Sequence, residues 1–411
     1  MLVIVAPGQG AQTPGFLAPW LELPGFAERL AAWSELAGCD LVRAGTVATA
    51  DEIRDTAVAQ PLLVAVALAV ADVLGVGPEL AVSPPDGSGS HGNVGGVVAG
   101  HSVGELAAGA MAGVLAPEDA IRLVRVRGQA MGRAAAAEAT GMTAVLGGNE
   151  SDVLAVIEKH GLTAANINSA GQIVAAGTTG ELAAFAADPP ARAKLRPLSV
   201  AGAFHTWHMA PATDALRAAG LAMTVSDPQL ALLSNLDGAV VRTGDDWMER
   251  IINQVSAPVR WDLCMKSMAS LGVSALVELP PAGTLAGLAR RALPGVQLIA
   301  LKTPDDLQAA RGLIAEHRQS DADSHAPEWR LLVAPLAGTF RACATGGAPG
   351  AEVSSGAELG HVEMRGGSHL VTVGFPATII EWLVEDGDPV SPGQPLVRLD
   401  PAAHAAAEEG H

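Results

Sequence analysis

GVVAGHSVGELAAGAMAGVL, residues 96–115, is the stretch on which the reading of this chain turns. Val97-Val98-Ala99 is a short apolar run of strand character, and an alanine-rich stretch that reads as a long helix begins near Val103. Between them lies Gly100-His101-Ser102-Val103-Gly104, a G-x-S-x-G. Strand, tight turn and helix form the context in which such a serine is presented at the top of an α/β sheet. The pattern points to a serine nucleophile. By itself it does not separate acyl transfer to water from acyl transfer to a thiol.

The surrounding chain supports that context. LVIVA at 2–6 stops at Pro7-Gly8 and reads as a buried parallel strand entering a glycine-rich loop. Residues 60–76 form an apolar helical pattern, and SPPDGSGSHGNVGG at 83–96 reads as a flexible surface loop. Between 142 and 200 the order is βαββαβ, with MTAVLG, LTAANIN, QIVAAGT and AKLRPLSV as strands, which is a ferredoxin-like order. After it QLALLSN, ERIINQV, ALVELP, TLAGLARRAL and QLIALK again alternate strand and helix. The large domain is therefore expected to be α/β with a mainly parallel sheet over 1–315, carrying a ferredoxin-like insert at about 129–200. EHRQSDADSHAPEW is polar and without apolar period, so 316–328 reads as a linker. Beyond it, at 329–402, lies a glycine- and valine-rich all-β segment, followed by a tail at 403–411. That segment repeats itself: GAEVSSGAEL at 350–359 and GDPVSPGQPL at 387–396 share G-x-x-V-S-x-G-x-x-L, and Gly338-Thr339-Phe340 matches Ala377-Thr378-Ile379. Two similar halves imply a small pseudo-symmetric β-sandwich.

Bulk properties exclude some functions. The formal net charge is −18, which argues against nucleic acid or an anionic membrane as partner. Cys39, Cys264 and Cys343 are widely spaced and show no metal-ligand pattern, as expected for a reduced, cytoplasmic setting. The first residues lack the basic region of a signal peptide, no membrane span is expected, and neither metal nor cofactor is called for.

A serine hydroxyl needs a base, and among 11 histidines His205 in GAFHTWHM follows a strand where a loop can carry it over the sheet edge. His208 stays open as an alternative, whereas the His101 side chain is expected to point away from the serine Oγ. Donors for an oxyanion would come from the Val103 amide at the helix start and from the Gly8-Gln9-Gly10 loop, since such loops converge at the carboxyl ends of parallel strands.

These motifs together resemble the malonyl-CoA:acyl carrier protein transacylases. The resemblance rests on PGQGAQ at 7–12, GHSVGE at 100–105, the arginine of VRVRG at 124–128, GAFH at 202–205 and NQVSAPVRW at 253–261, in order over roughly 1–310. It implies a hydrolase-like acyltransferase core in which Ser102 carries the malonyl ester and His205 is base and then acid. It further implies the amides of Gln9 and Val103 as oxyanion hole, Arg127 on the malonyl carboxylate, and the backbone carbonyl of Gln254 orienting the histidine. Asn166 and Asn168 would be pocket asparagines, and Phe204 would exclude an α-methyl branch. A guanidinium grips a carboxylate through two parallel hydrogen bonds. Removing one partner of such a buried pair costs roughly 3–5 kcal/mol, enough for about a hundredfold preference for malonyl over acetyl. The implied reaction is ping-pong transfer from malonyl-CoA to the phosphopantetheine thiol of a holo acyl carrier protein, in fatty acid or polyketide synthesis, with Arg192, Lys194 and Arg196 as a local basic patch for the carrier. The competing reading is an editing thioesterase acting on acyl carrier proteins. A scaffolding role is the third.

The segment from about Arg330 to Pro401 resembles a biotinyl/lipoyl carrier domain through VAPLAGTF, VEMRGG and IIEWLVEDGDPVSPGQPLVRLDP. Where that family carries its modified lysine this chain has Val362-Glu363-Met364-Arg365-Gly366-Gly367, and no lysine follows Lys302. The resemblance therefore implies a hammerhead-like scaffold without the carrier function, a module for assembly into a biosynthetic complex.

Overall fold

All five residues of Leu2–Ala6 are buried, as are all five of Gly96–Gly100, and the two strands pair in parallel from Leu2 opposite Gly96 to Ala6 opposite Gly100. A continuous apolar run is what a strand covered on both faces requires. The computed structural model describes residues 1–77, 96–200, 202–325, 330–343, 347–364 and 366–400, in two compact units, Met1–Gln319 and Ser320–His411. The loop expected at 83–96, apart from Gly96, and the tail at 403–411 lie outside the described residues.

In the first unit a six-stranded sheet runs in the order Gln297–Ala300, Ala275–Glu278, Leu2–Ala6, Gly96–Gly100, Ala231–Leu233, Val240–Val241. All neighbours are parallel except the last pair, which is antiparallel. Helices Thr56–Val73 and Pro117–Ala137 contribute to the large core with Leu62, Leu63, Val66, Val70, Ile121 and Val124. Thr56–Val73 is long and apolar enough to cross a membrane, but it serves as a core helix, with 78% of it buried in the protein. Pro117 opens its helix with Glu118 and Asp119 in the first turn, the arrangement that a helix start favours.

Three boundaries differ from those read in the sequence. The helix after Ser102 is short, Gly104–Met111, because Gly113 takes a left-handed φ of 79° and the Val114 amide closes back on the Gly109 carbonyl. The helix Pro117–Ala137 is continuous, so the four-stranded unit begins at Thr140 rather than near 129. A helix Leu307–His325 runs through much of the stretch read as linker. Ala310, Leu313 and Ile314 anchor its first half in the core, and no glycine or proline follows before Pro327 to stop it.

The second sheet of this unit is antiparallel, in the order Thr163–Ser169, Gln172–Thr178, Thr140–Gly147, Ala193–Pro197. Its element order is strand, helix, strand, strand, helix, strand. Ile167 donates to Val259 and Val259 to Ala165, each at 2.9 Å, which ties this sheet to the chain leading into helix Trp261–Ser270.

The C-terminal unit has two four-stranded antiparallel sheets. One is ordered Arg330–Val333, Pro395–Asp400, Ala377–Trp382, Glu352–Val353; the other Gly367–Thr372, Glu358–Met364, Gly338–Ala342, Pro389–Val390. Matching strands of the two sequence repeats fall in opposite sheets. Both sheets feed each of two apolar clusters, one around Phe340, Val362 and Leu396, the other around Leu359, Ile379 and Leu399.

Candidate active site

Ser102 sits on the turn between strand Gly96–Gly100 and helix Gly104–Met111 with φ 54°, a left-handed value rare for a residue with a side chain. The turn is tight enough that a Cβ at Gly100 would collide with the Gly104 backbone, and one at Gly104 with the Ala6 carbonyl. The glycines of the G-x-S-x-G are thus steric requirements of the elbow.

His205 arrives on the loop after the antiparallel sheet, also with positive φ, 61°, and its amide donates to the Val255 carbonyl. Its Nε2 lies 2.7 Å from Ser102 Oγ and its Nδ1 lies 2.8 Å from the Gln254 carbonyl oxygen. A carbonyl only accepts, so Nδ1 carries the proton and Nε2 is left to accept from the serine hydroxyl. No carboxylate enters this relay. Burial, reinforced by the Arg127 charge, pushes the imidazole down to about 3, so it stays neutral and available as a base. His208 is engaged elsewhere: its Nδ1 lies 2.9 Å from Glu138 Oε2 and its ring stacks on Trp207. His101 turns from the serine to Asn168 Oδ1, 2.8 Å from its Nε2, and packs edgewise on Trp261.

Arg127 is fully buried. Its Nη1 donates to Gln60 Oε1 at 2.7 Å, and its Nη2 to Gln254 Oε1 at 2.9 Å and to Ser102 Oγ at 3.4 Å. Burial pushes it down to about 10, so it remains a cation at neutral pH. Its direct partners are neutral, and its Nε has none. A desolvated cation so placed is a site for an anion.

Three residues without an assigned role in the sequence reading complete the network. Asn235 accepts from the Ser102 amide at 2.7 Å and donates to the Gly100 carbonyl at 2.8 Å, bracing the elbow. Gln60 holds Arg127. Glu105, whose carboxyl burial raises to about 7, accepts from Gln254 Nε2 at 2.6 Å. Signals for two of them existed: Asn235 follows the carboxyl end of a parallel strand, and Gln60 is a lone amide in an apolar helix.

A cavity of about 440 Å³ opens over the serine, with Gln9, His101, Ser102, Asn166, Phe204 and His205 in its wall and no Asp or Glu among its lining residues. Asn168 also lines it, whereas Arg127, fully buried, is not among the lining residues. The backbone amides of Gln9 and Val103 have no acceptor among the described residues. Arg192, Lys194 and Arg196 are exposed along the edge strand Ala193–Pro197, which leads into the cavity-lining Leu198, Ser199 and Val200. No group of three His, Cys, Asp or Glu side chains suited to a metal occurs among the described residues.

Comparison with known proteins places the chain in a family. Residues 3–304 match the acyl transferase domain family. The chain is 50% identical over 313 residues to the malonyl CoA-acyl carrier protein transacylase of Mycobacterium tuberculosis strain H37Rv, spanning 76% of this chain and all of the relative. The crystal structure of the MCAT from Mycobacterium tuberculosis superposes with a TM-score of 0.70 at 50% identity, covering 76% of this chain and 99% of that one. A malonyl-transacylase solved in complex with a holo acyl-carrier protein of a type II polyketide synthase superposes with a TM-score of 0.67 at 27% identity, covering 76% of this chain and 99% of that one.

Proposed function

The chain belongs to the malonyl CoA-acyl carrier protein transacylases of the acyl transferase family, and from that premise we propose how its residues carry out the transfer. The enzyme moves a malonyl group from malonyl-CoA to the phosphopantetheine thiol of an acyl carrier protein. Ser102 Oγ attacks the thioester carbonyl while its proton passes to His205 Nε2, already 2.7 Å away. The developing oxyanion is received by the amides of Gln9 and Val103. The imidazolium protonates the departing CoA thiolate, leaving malonyl-Ser102. In the second half the carrier thiol gives its proton to His205 and attacks the ester, and Ser102 recovers a proton from the imidazolium. The Gln254 carbonyl holds the histidine in the tautomer both halves need.

The observation that carries this reading is Arg127 Nη2 lying 3.4 Å from Ser102 Oγ, with neutral direct partners only. An acyl group on that oxygen which ends in a carboxylate would gain a charge partner there. Phe204 narrows the cavity against an α-branch, and Asn166 and Asn168 line the acyl channel. Arg192, Lys194 and Arg196 form the patch for an acidic carrier. We read the four-stranded sheet as a ferredoxin-like insert of a 1–315 domain. We read the C-terminal unit as a biotinyl/lipoyl-like fold without its lysine, serving assembly into a biosynthetic complex; its Arg365 lies outside the described residues. The wide spacing of the three cysteines fits a cytoplasmic setting.

The test is intact-mass analysis of the enzyme and a holo carrier protein after exposure to malonyl-, methylmalonyl- and acetyl-CoA. Malonate on Ser102 and then on the carrier is expected, with loading abolished in Ser102→Ala. Free malonate with an unloaded carrier would instead establish the thioesterase.

A further inference from the structure

We propose that Glu105 is a positioning residue for acyl selectivity: its carboxylate fixes the direction of the Gln254 side-chain amide and, through it, the seat of the Arg127 guanidinium. The inference rests on the reading of Arg127 as partner of the malonyl carboxylate.

Glu105 is 1% exposed and does not line the substrate cavity, so it acts on substrate only through other groups. Between it and Arg127 stands one amide. Gln254 Oε1 accepts from Arg127 Nη2 at 2.9 Å, and Gln254 Nε2 donates to Glu105 Oε2 at 2.6 Å. A guanidinium can only donate, and Glu105 Oε2 accepts from both Gln254 Nε2 and the Asn235 amide, so the chain Arg127–Gln254–Glu105 has one consistent polarity in either protonation state of Glu105. Two other acceptors are near Nε2, the Ser102 carbonyl at 3.1 Å and Asn235 Oδ1 at 3.3 Å. Both are neutral and more distant, and Asn235 Oδ1 already receives the Ser102 amide at 2.7 Å. The contact with Glu105 is the short one, and it is charge-assisted when Glu105 is ionised. The Asn235 backbone amide at 3.2 Å holds the same Glu105 oxygen in place.

The other carboxyl oxygen, Oε1, is buried and has no hydrogen-bond partner among the described residues. It belongs to a residue that lines a second cavity of about 170 Å³, together with Ser234, Asp246, Arg250 and Asn253. Oε2 receives both Gln254 Nε2 at 2.6 Å and the Asn235 amide at 3.2 Å, and the contact with Gln254 is the shorter of the two. Were the amide to reverse, its NH₂ would face the guanidinium, donor against donor, and Arg127 would shift from its position beside Ser102. An acyl group ending in a carboxylate would lose its partner; an acetyl group would not register the change.

The experiment measures kcat/KM of the full-length enzyme for malonyl-CoA and acetyl-CoA in Glu105→Met, Glu105→Asp and Glu105→Gln. Methionine offers Gln254 no oxygen and aspartate falls one methylene short, whereas glutamine keeps an acceptor at the same reach. Met and Asp are expected to lower the malonyl/acetyl ratio at least about tenfold, chiefly through KM for malonyl-CoA, with acetyl turnover within about threefold. Gln is expected to keep the ratio within about threefold of the unmodified enzyme. A merely structural role would depress both substrates alike. Equal losses for both substrates, or the same ratio in Asp and Gln, would overturn the proposal, and the Asp–Gln comparison stands if Met does not fold. Arg127→Met separates the two levels. If it leaves the ratio unchanged, the reading of Arg127 fails; if it collapses the ratio while the Glu105 variants do not, only the role of Glu105 fails.

Discussion

Replacing Asn235 by alanine removes the brace of the nucleophile elbow. Its side chain, fully buried, satisfies the Ser102 amide and the Gly100 carbonyl, at 2.7 and 2.8 Å. Leaving two such backbone groups unpaired costs about 1–3 kcal/mol each, about 2–6 kcal/mol in all. Part of this returns, because Ser102 is held at φ 54° and relaxing such a residue releases about 1–3 kcal/mol. The net loss of stability is then at most about 5 kcal/mol, with a central value of about 2, read as a lower urea midpoint at unchanged slope. The same relaxation depopulates the reactive conformation. At 1.36 kcal/mol per decade, about 1–3 kcal/mol corresponds to about a 5- to 150-fold slower loading of Ser102 by malonyl-CoA, measured by rapid quench and intact mass. Loading within twofold of the unmodified rate, in a variant destabilised as expected, would show that the elbow geometry is set by the glycines and not by Asn235, and the reasoning would fall.

Arg127→Met preserves bulk but removes the cation beside Ser102. Malonyl-CoA loading should fall by about 3–5 kcal/mol in transition-state terms, two to three and a half decades, while acetyl-CoA loading changes far less; comparison of the two kcat/KM values checks it. Glu105→Gln should change the pH dependence of stability. The Glu105 pKa is raised to about 7 by burial, from an unfolded value of 4.5, so the folded state binds the extra proton between those pH values and stability falls as pH rises through them. The variant lacks that penalty: denaturation curves should show its advantage growing from none below pH 4.5 to about 3 kcal/mol above pH 7, and a constant difference would refute the assignment.

What the sequence determined by itself is local. The strand–turn–helix around Ser102, the strand character of Leu2–Ala6 and the βαββαβ order from Thr140 to Pro197 follow from apolar period and turn chemistry over a few neighbouring residues. The repeat in the C-terminal segment was visible for the same reason. His205 over the sheet edge is read from its place after a strand, with His208 left open beside it, whereas the grip of the Gln254 carbonyl on it comes only from resemblance, since nothing within either motif states that the two meet. Only the tertiary structure decided how the buried polar groups are satisfied. Its hydrogen bonds join residues 67 apart for Arg127 and Gln60, 127 for Arg127 and Gln254, 133 for Ser102 and Asn235, and 149 for Gln254 and Glu105. A polar side chain in an apolar helix announces that a partner must exist, because leaving it unpaired is costly. Which partner it finds depends on where the parallel strands deliver their carboxyl ends, and no stretch of twenty residues contains that information.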